Sequence, residues 1–365
     1  SRINEAGLNV NQYGNRNLII NGAMQVAQRG TSVAVSDGSN EGYQSLDRFA
    51  LYFSNSAGGA CTISQDTTVP SGYGFSNSYK VDVTTADTSI SSTHAILIQH
   101  SVEAQNIRNS GWDYTSTSSY ITLSFWARSV KAGIYNVVFA AADVGHKYYP
   151  VEYTLVANTW KKITITVPGD SSLVFNNDTG AGLNIRWNLQ SGSDRNQGTA
   201  NQWNATNVVN QGTSNQVNFF DSTSNDFYLT GVQLEVGDTA TDFEHRSYGD
   251  ELQRCQRYFY SVTAGADNTS VAAGAYYTAT AVYATVFFPV TMRANPSLIS
   301  SNTSGDFHIF RNGNVDAIDG WSGLQNTGLS QSTIYVGSGP NSTTGSACWI
   351  ETNDTGAVTQ FNAEL

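Results

Sequence analysis

FYLTGVQLEVGDTATDFEHRSYGDELQRCQRYFY, residues 227–260, is the stretch that divides this chain into its parts. From Phe227 to Val236 it sets Tyr228, Thr230, Val232, Leu234 and Val236 against Gln233 and Glu235, the period of a strand with one buried face. Gly237 and Asp238 then punctuate it. Ser247-Tyr248-Gly249-Asp250 has the Ser-x-x-acid form of a capping box, whose side chains satisfy the free amides of a helix start. The spacing predicts a short helix over Asp250–Tyr260, on which Leu252, Cys255 and Phe259 make one apolar stripe. So short a helix does not hold alone in water. Its stripe is expected to dock on a sheet of the same chain or on its own copies in a symmetric oligomer. Leu252, Cys255 and Phe259 are accordingly the candidate oligomer contacts.

Working outward, short alternating runs dominate both sides. Upstream, Phe49, Leu51 and Phe53 share a face, and Ile121, Leu123, Phe125 and Ala127 alternate with Thr122, Ser124, Trp126 and Arg128. In Trp160–Val167, Ile163, Ile165 and Val167 oppose Lys162, Thr164 and Thr166. The clearest case is Leu183-Asn184-Ile185-Arg186-Trp187-Asn188-Leu189, with Leu183, Ile185, Trp187 and Leu189 inward. Short strands separated by turn residues read as an all-β sandwich. Downstream, Tyr276–Val290, Asp306–Arg311, Ser332–Val336, Ala347–Glu351 and Ala357–Asn362 read as strands of a smaller β-domain. The expected organisation is a linker or shaft end at 1–16, a sandwich at 17–246, a linking helix at 247–262 and a C-terminal β-domain at 263–365. No fixed-period repeat is present, which argues against a β-helix.

Composition narrows the partners. Of 365 residues only 13% are charged, about half the usual share, and the net charge is −11. The 18 Lys and Arg are dispersed, so the basic stripe that replaces phosphate counterions on nucleic acid is lacking. No apolar run is long enough for membrane insertion. Cys61, Cys255 and Cys348 are far apart and odd in number, which disfavours both a disulfide framework and a thiolate metal site. The five histidines are scattered, and neither a nucleophile elbow nor a phosphate loop occurs. A glycosidase would need only two carboxylates at the right separation, for which Asp113, Asp143, Glu152 and Asp194 are the candidates. The expectation is a protein that is not an enzyme.

Sugar binding is better supplied. A pyranose stacks its C–H patch on an aromatic face while Asn, Gln, Asp and Arg read its hydroxyls. Trp112 and Tyr114 stand just before a strand in Asn109-Ser110-Gly111-Trp112-Asp113-Tyr114. Trp203 lies in the polar segment Gln190–Asn218, which is longer than ordinary connections, with Asp194 and Arg195 upstream. Trp321, in Asp319-Gly320-Trp321, offers an alternative in the C-terminal domain. These six are the candidate glycan-binding residues. The competing reading for each Trp is that its ring pins its own loop. Tyr148 and Tyr149 mark a further contact surface, of which one ring is expected in the core.

Several of these pieces resemble, in order, the bacteriophage tail-fibre and virion appendage proteins. They are Asn17-Leu18-Ile19-Ile20-Asn21-Gly22-Ala23-Met24, Leu46-Asp47-Arg48-Phe49, Leu123-Ser124-Phe125-Trp126 and Asn158-Thr159-Trp160. The junction Tyr228–Gly237 with Phe243–Leu252 and Cys255–Phe259, and the terminal Phe361-Asn362-Ala363-Glu364-Leu365, complete the set. The resemblance implies a non-enzymatic jelly-roll like those of carbohydrate-binding modules, a C-terminal β-domain, a homotrimer and a place on the virion. Its partners would be other virion proteins and host surface polysaccharide or lipopolysaccharide. The resemblance also implies that the long-loop Trp is structural. Related jelly-rolls hold a structural calcium between first and last strands, but Asn21-Gly22-Ala23-Met24-Gln25 lacks acidic ligands and only Gln233 and Glu235 face it. No metal or other cofactor is therefore expected. The chain starts at Ser1, which suggests a fragment lacking an upstream attachment segment.

Overall fold

Leu183, Ile185, Trp187 and Leu189 are all fully buried in the structure, a computed structural model that describes residues 15–55, 57–143, 145–263 and 267–365. They lie on the middle strand of one of two sheets that enclose a single core. The strands of this first unit are β1 (Ser32–Ser36), β2 (Ala50–Ser54), β3 (Ala60–Asp66), β4 (Ser78–Thr85), β5 (Ala95–Glu103) and β6 (Tyr120–Ser129). They continue as β7 (Gly133–Ala141), β8 (Lys147–Leu155), β9 (Lys161–Pro168), β10 (Ala181–Ser191) and β11 (Asp226–Val236), with one short helix, α1 (Ala104–Arg108). Six strands run in the order β1-β3-β4-β11-β6-β9, and five in the order β2-β5-β10-β7-β8. The pairings within both sheets are antiparallel, and the architecture is a jelly-roll β-sandwich. Its centre is aromatic: Trp187 lies 6.1 Å from Phe49 and 5.7 Å, edge-on, from Phe125.

Strand β11 departs from the expected alternation. Its pairing with β6 shifts register between Thr230 and Gln233, where Gly231 adopts φ 61°. A bulge swaps the faces. Before it the core receives Phe227 and Leu229; after it, Val232 and Leu234. Tyr228 and Thr230 therefore do not share a face with Val232 and Leu234, as strict period-2 reading had them. A Cβ on Gly231 would lie 2.6 Å from Phe75 Cζ and 3.0 Å from Trp126 Cδ1. Gly231→Ala is expected to cost about 1–3 kcal/mol through steric overlap and a left-handed backbone. Urea unfolding followed by tryptophan fluorescence should show an earlier midpoint, and an unchanged midpoint would refute the role of the bulge.

Helix α2 (Tyr248–Gln256) starts as expected: the Asp250 amide donates to Ser247 Oγ at 3.2 Å, and that hydroxyl donates to Asp250 Oδ2 at 2.7 Å. It ends sooner than the apolar spacing suggested. Phe259 belongs instead to strand β12 (Phe259–Ser261), opposite Asn362. The i+7 position of the stripe is therefore a strand residue. Cys255 and Phe259 are fully buried within the single chain, while Leu252 is half-buried. The two enclosed side chains offer no surface to another copy, which corrects their reading as oligomer contacts. The chain divides into compact units between Glu251 and Leu252, inside this helix. Residues 1–14 of the expected linker lie outside the described residues. Asn15 and Arg16 are tied down, the Asn15 amide donating to Glu244 Oε1 at 2.7 Å and Arg16 Nε to Thr241 Oγ1 at 2.8 Å.

The second unit adds β13 (Ser270–Tyr276), β14 (Val282–Phe287), β15 (Ser297–Ser300), β16 (Phe307–Arg311) and β17 (Asn314–Ile318). It ends with β18 (Gly323–Gln325), β19 (Gln331–Val336), β20 (Ala347–Thr352) and β21 (Thr359–Asn362). A three-stranded sheet, β12-β21-β15, accompanies a seven-stranded one, β17-β16-β20-β13-β14-β19-β18. Their core holds Tyr276, Val282, Phe307, Ile309, Ile334, Ile350 and Phe361. Of the expected single strand Tyr276–Val290 only Val282–Phe287 is strand, β14; Tyr276 ends β13, and the hairpin turn between them, Tyr277 to Ala281, contains no Gly, Pro, Asn or Asp. Thr278 Oγ1 supplies the missing turn chemistry by accepting from the amides of Thr280 and Ala281 at 3.3 and 3.0 Å.

Candidate functional site

The loop aromatics expected to stack on sugars are used internally. Trp112 is 3% exposed, sits in the core against Phe175 and Tyr114, and donates its indole N–H to Ser119 O at 3.2 Å. Tyr114 is half-buried and meets Phe175 edge-on at 5.0 Å. Trp203 packs edge-on against Tyr149 at 5.3 Å, with its N–H on Pro168 O at 2.8 Å. Trp321 is 7% exposed in the second core and donates to Thr359 Oγ1 at 2.8 Å; its edge lines a depression of about 400 Å³ with Asn302, Asp319 and Ser338. Asp194 accepts from Ser92 Oγ at 2.6 Å, and Arg195 Nε donates to Thr93 O at 3.1 Å. For the three tryptophans the correction has one cause. An indole ring carries more apolar area than any other side chain of a polar loop, so burying it anchors the loop.

The long segment after β10 folds back over the outer face of the five-stranded sheet. Asn188 Nδ2 donates to Gln211 O at 2.7 Å, the Asn204 amide to Tyr148 O at 2.8 Å, and Thr213 to Asn136 and Glu152. Beside this cover, Arg186 Nε donates to Gln99 Oε1 at 2.8 Å, and its guanidinium lies 5.8 Å from the Tyr148 ring. His146 stacks on the same Tyr148 ring at 6.1 Å. Tyr149, one residue on, points into the core, so the Tyr148–Tyr149 pair is split between the two faces. Burial, and then the charge of Arg186, hold the His146 imidazole below its ordinary pKa.

On the opposite side of the sandwich, on the outer face of the six-stranded sheet, lie exposed Tyr73, half-buried Trp126 and Trp160, and Tyr228, which is 6% exposed beneath its neighbours. Tyr73, 53% exposed, lies 4.3 Å from Trp126 of β6. Tyr228 of β11 forms a floor beneath Arg128 at 5.0 Å and Lys80 at 5.8 Å, with the half-buried Trp160 at 6.2 Å. Register explains the convergence, since Tyr228 pairs with both Arg128 and Lys80, and Trp126 with both Thr230 and Lys162. Arg128 is steadied by Asn158, donating to its Oδ1 at 3.0 Å. Lys80 reaches Asp226 at 3.1 Å and Asp82 at 3.3 Å. Burial and the Asp226 carboxylate push the Tyr228 phenol up. Rings, two cations and two carboxylates thus share one face. Sequence reasoning had placed Trp126 and Arg128 on the polar face of their strand but had not singled them out.

The carboxylates weighed for catalysis serve separate loops. Thr115 donates to Asp113, Asn176 to Asp143, Thr213 and Asn215 to Glu152, and Ser92 to Asp194. Where calcium was considered, Asn21 Oδ1 accepts from the Val26 amide, while Glu235 takes the amide and hydroxyl of Thr241. Among the described residues no three His, Cys, Asp or Glu side chains are grouped to hold a metal ion.

No known family profile matches the chain, and no curated protein matches it. Among solved structures it is similar to the enzymatically active domain of tailspike protein 4 from bacteriophage CBA120, at 12% identity and a TM-score of 0.31. That match covers 61% of this chain, which spans 22% of the tailspike chain. It is also similar to a family 4 carbohydrate-binding module, at 12% identity and a TM-score of 0.31, over 60% of this chain and 98% of that one. A family 11 module from Clostridium thermocellum, solved with a β-1,3-1,4-mixed-linked tetrasaccharide, gives 12% identity and a TM-score of 0.28 over 59% and 98%. At these scores the likenesses decide nothing about ligand or partner.

Proposed function

We propose that this chain is a non-catalytic phage virion protein, of a tail fibre or another external appendage, that attaches to host surface glycans through the outer face of its six-stranded sheet. One observation carries the reading: Tyr73, Trp126, Trp160 and Tyr228 lie together among Lys80, Arg128, Asp82 and Asp226. Rings supply stacking surface for a pyranose, and the charged groups beside them supply donors and acceptors for its hydroxyls. The phage assignment rests on the resemblance of the junction and strand motifs, as does a homotrimeric state.

The test is binding of the purified protein to extracted host polysaccharide and to intact host cells, with Tyr73→Ala and Trp160→Ala beside the parent. Each variant should keep its fold and bind about tenfold more weakly, as central aromatic contacts do. Equal binding by parent and variants would remove this face from the proposal. Release of sugar fragments would overturn the non-catalytic reading.

A second reading is favoured by the second unit. On the outer face of its seven-stranded sheet Trp349, 54% exposed, stacks on Phe310 at 5.1 Å, and Tyr283 stacks on Tyr335 at 5.5 Å. An aromatic sheet face of this kind suits packing against other virion proteins. A protein that ignored every host fraction yet bound phage particles would select it.

A further inference from the structure

Where the long segment after β10 crosses the edge strand β8, the surface sinks into a depression of about 440 Å³. It is lined by Glu152 of β8 and by Asn196, Gln197, Thr213, Ser214 and Asn215 of the long segment. That volume falls within the range of small-molecule sites. The fold itself holds the walls. The Gln197 amide donates to Val209 O at 2.7 Å, the Gly198 amide to Gly212 O at 2.9 Å, and the Thr213 amide to Oδ1 of the buried Asn136 at 3.2 Å. A Cβ on Gly198 would lie 2.8 Å from Asn210 O and 3.0 Å from Gly212 O, so the two passes of the loop meet backbone to backbone.

Each amide side chain that lines the depression spends its donor on the protein. Asn196 Nδ2 donates to Ser191 O at 3.3 Å, Gln197 Nε2 to Ser193 O at 2.9 Å, and Asn215 Nδ2 to Glu152 Oε1 at 3.0 Å. Those partners are carbonyl or carboxylate oxygens, which only accept, so the nitrogen end of each amide is fixed toward them. Among the described residues none of the three amide oxygens has a protein partner. Glu152 repeats the pattern. Its Oε1 accepts from Thr213 Oγ1 at 2.5 Å as well as from Asn215, whereas among the described residues Oε2 accepts nothing and no Lys or Arg pairs with the carboxylate. One anionic oxygen and three amide oxygens are left over, and a ligand that satisfies them must bring donors and a positive charge.

We propose that this depression binds a hydroxylated ammonium ion of the amino-sugar class. Glu152 Oε2 takes the ammonium in a charge-assisted hydrogen bond, and the amide oxygens of Asn196, Gln197 and Asn215 accept from the hydroxyls. A bare divalent cation fits less well, because it needs about six to eight oxygens around one point and Glu152 is the single acid in the lining. The site lies across the sandwich from the aromatic face and stands whether or not that face binds glycans.

Calorimetric titration of the full chain with glucosamine, N-acetylglucosamine, glucose and cyclohexylamine tests it. Glucosamine should bind saturably, and more weakly as salt is raised. N-acetylglucosamine and glucose lack the charge and cyclohexylamine lacks the hydroxyls, so each should bind about tenfold more weakly or worse. Glu152→Gln keeps an acceptor for Thr213 and Asn215 and should weaken glucosamine by about tenfold or more, the scale of a lost charged hydrogen bond. If that variant does not fold, Gln197→Ala, at an exposed position, carries the test with an expected loss of about threefold. The site is overturned if glucosamine does not bind, if any of the other three compounds binds as tightly, or if calcium chloride at equal concentration displaces it. It is equally overturned if a folded Glu152 or Gln197 variant binds as the parent does, or if Tyr73→Ala, on the aromatic face, abolishes the binding.

Discussion

Trp187→Ala should lower the stability of the first unit by about 3–5 kcal/mol, the range for removing a buried aromatic ring from a close-packed core. Trp187 is fully buried on the central strand of its sheet, paired with Ile98 on one side and Val137 on the other, and it meets Phe49 and Phe125 across the core. No neighbour can collapse into the gap without breaking register. Its indole N–H has no hydrogen-bond partner among the described residues, so Trp187→Phe sacrifices ring volume but no hydrogen bond and should cost much less. Calorimetry resolves the transition of the first unit from that of the second, since a chain of two units need not unfold in one step. A loss below about 1 kcal/mol in Trp187→Ala would mean that the aromatic centre is not what holds the sheets together.

Arg246→Ala should be comparably damaging for a different reason. Its side chain is 6% exposed and lies between Glu244, 10% exposed, and Glu251, 8% exposed. It also donates to the carbonyls of Ile19 and Asn17, fastening the segment Asn17–Ile19 to the chain that follows β11. Glu244 and Glu251 in turn accept from the amides of Asn15, Asn17 and Asn21. Truncating the arginine strands two shielded carboxylates, a change that costs about 3–5 kcal/mol in buried networks. The pH response gives a separate check. Burial alone would raise the Glu244 pKa, but the amides of Asn17 and Asn15 and the charge of Arg246 outweigh it and hold it below the ordinary value. A depressed folded pKa stabilises above the unfolded value, and that stabilisation is lost as pH falls through the folded one. The parent should therefore lose stability on acidification, and Arg246→Ala should lose less of it because its carboxylate starts nearer the unfolded value. Urea midpoints at neutral and acidic pH measure both; an equally steep acid limb in the two proteins would show that Arg246 does not set the Glu244 titration.

The tryptophans chosen from the sequence as sugar-stacking candidates are rings that the structure uses in packing. Trp112, Trp203 and Trp321 were attractive because they sit in polar loops, yet that setting makes each ring the anchor its loop requires. Tyr73 and Trp160 were equally present in the chain, but each meets a ring distant in sequence, Trp126 for Tyr73 and Tyr228 for Trp160.

By itself the sequence determined the all-β class, the inward faces of β6, β9 and β10, and the Ser247–Asp250 start of α2. These are local properties: alternation has a period of two residues, and a helix cap spans one turn. Only the tertiary structure decided the bulge at Gly231, the turn at Tyr277–Ala281 that pairs β13 with β14, the early end of α2 at Gln256, and which aromatic rings remain in solvent. Each depends on a partner distant in sequence. Gly231 bends where Phe75 and Trp126 close over it, and Phe259 leaves the helix to pair with Asn362. Register, and the loop that covers a face, are set by those non-local contacts, which no periodicity in a single segment contains.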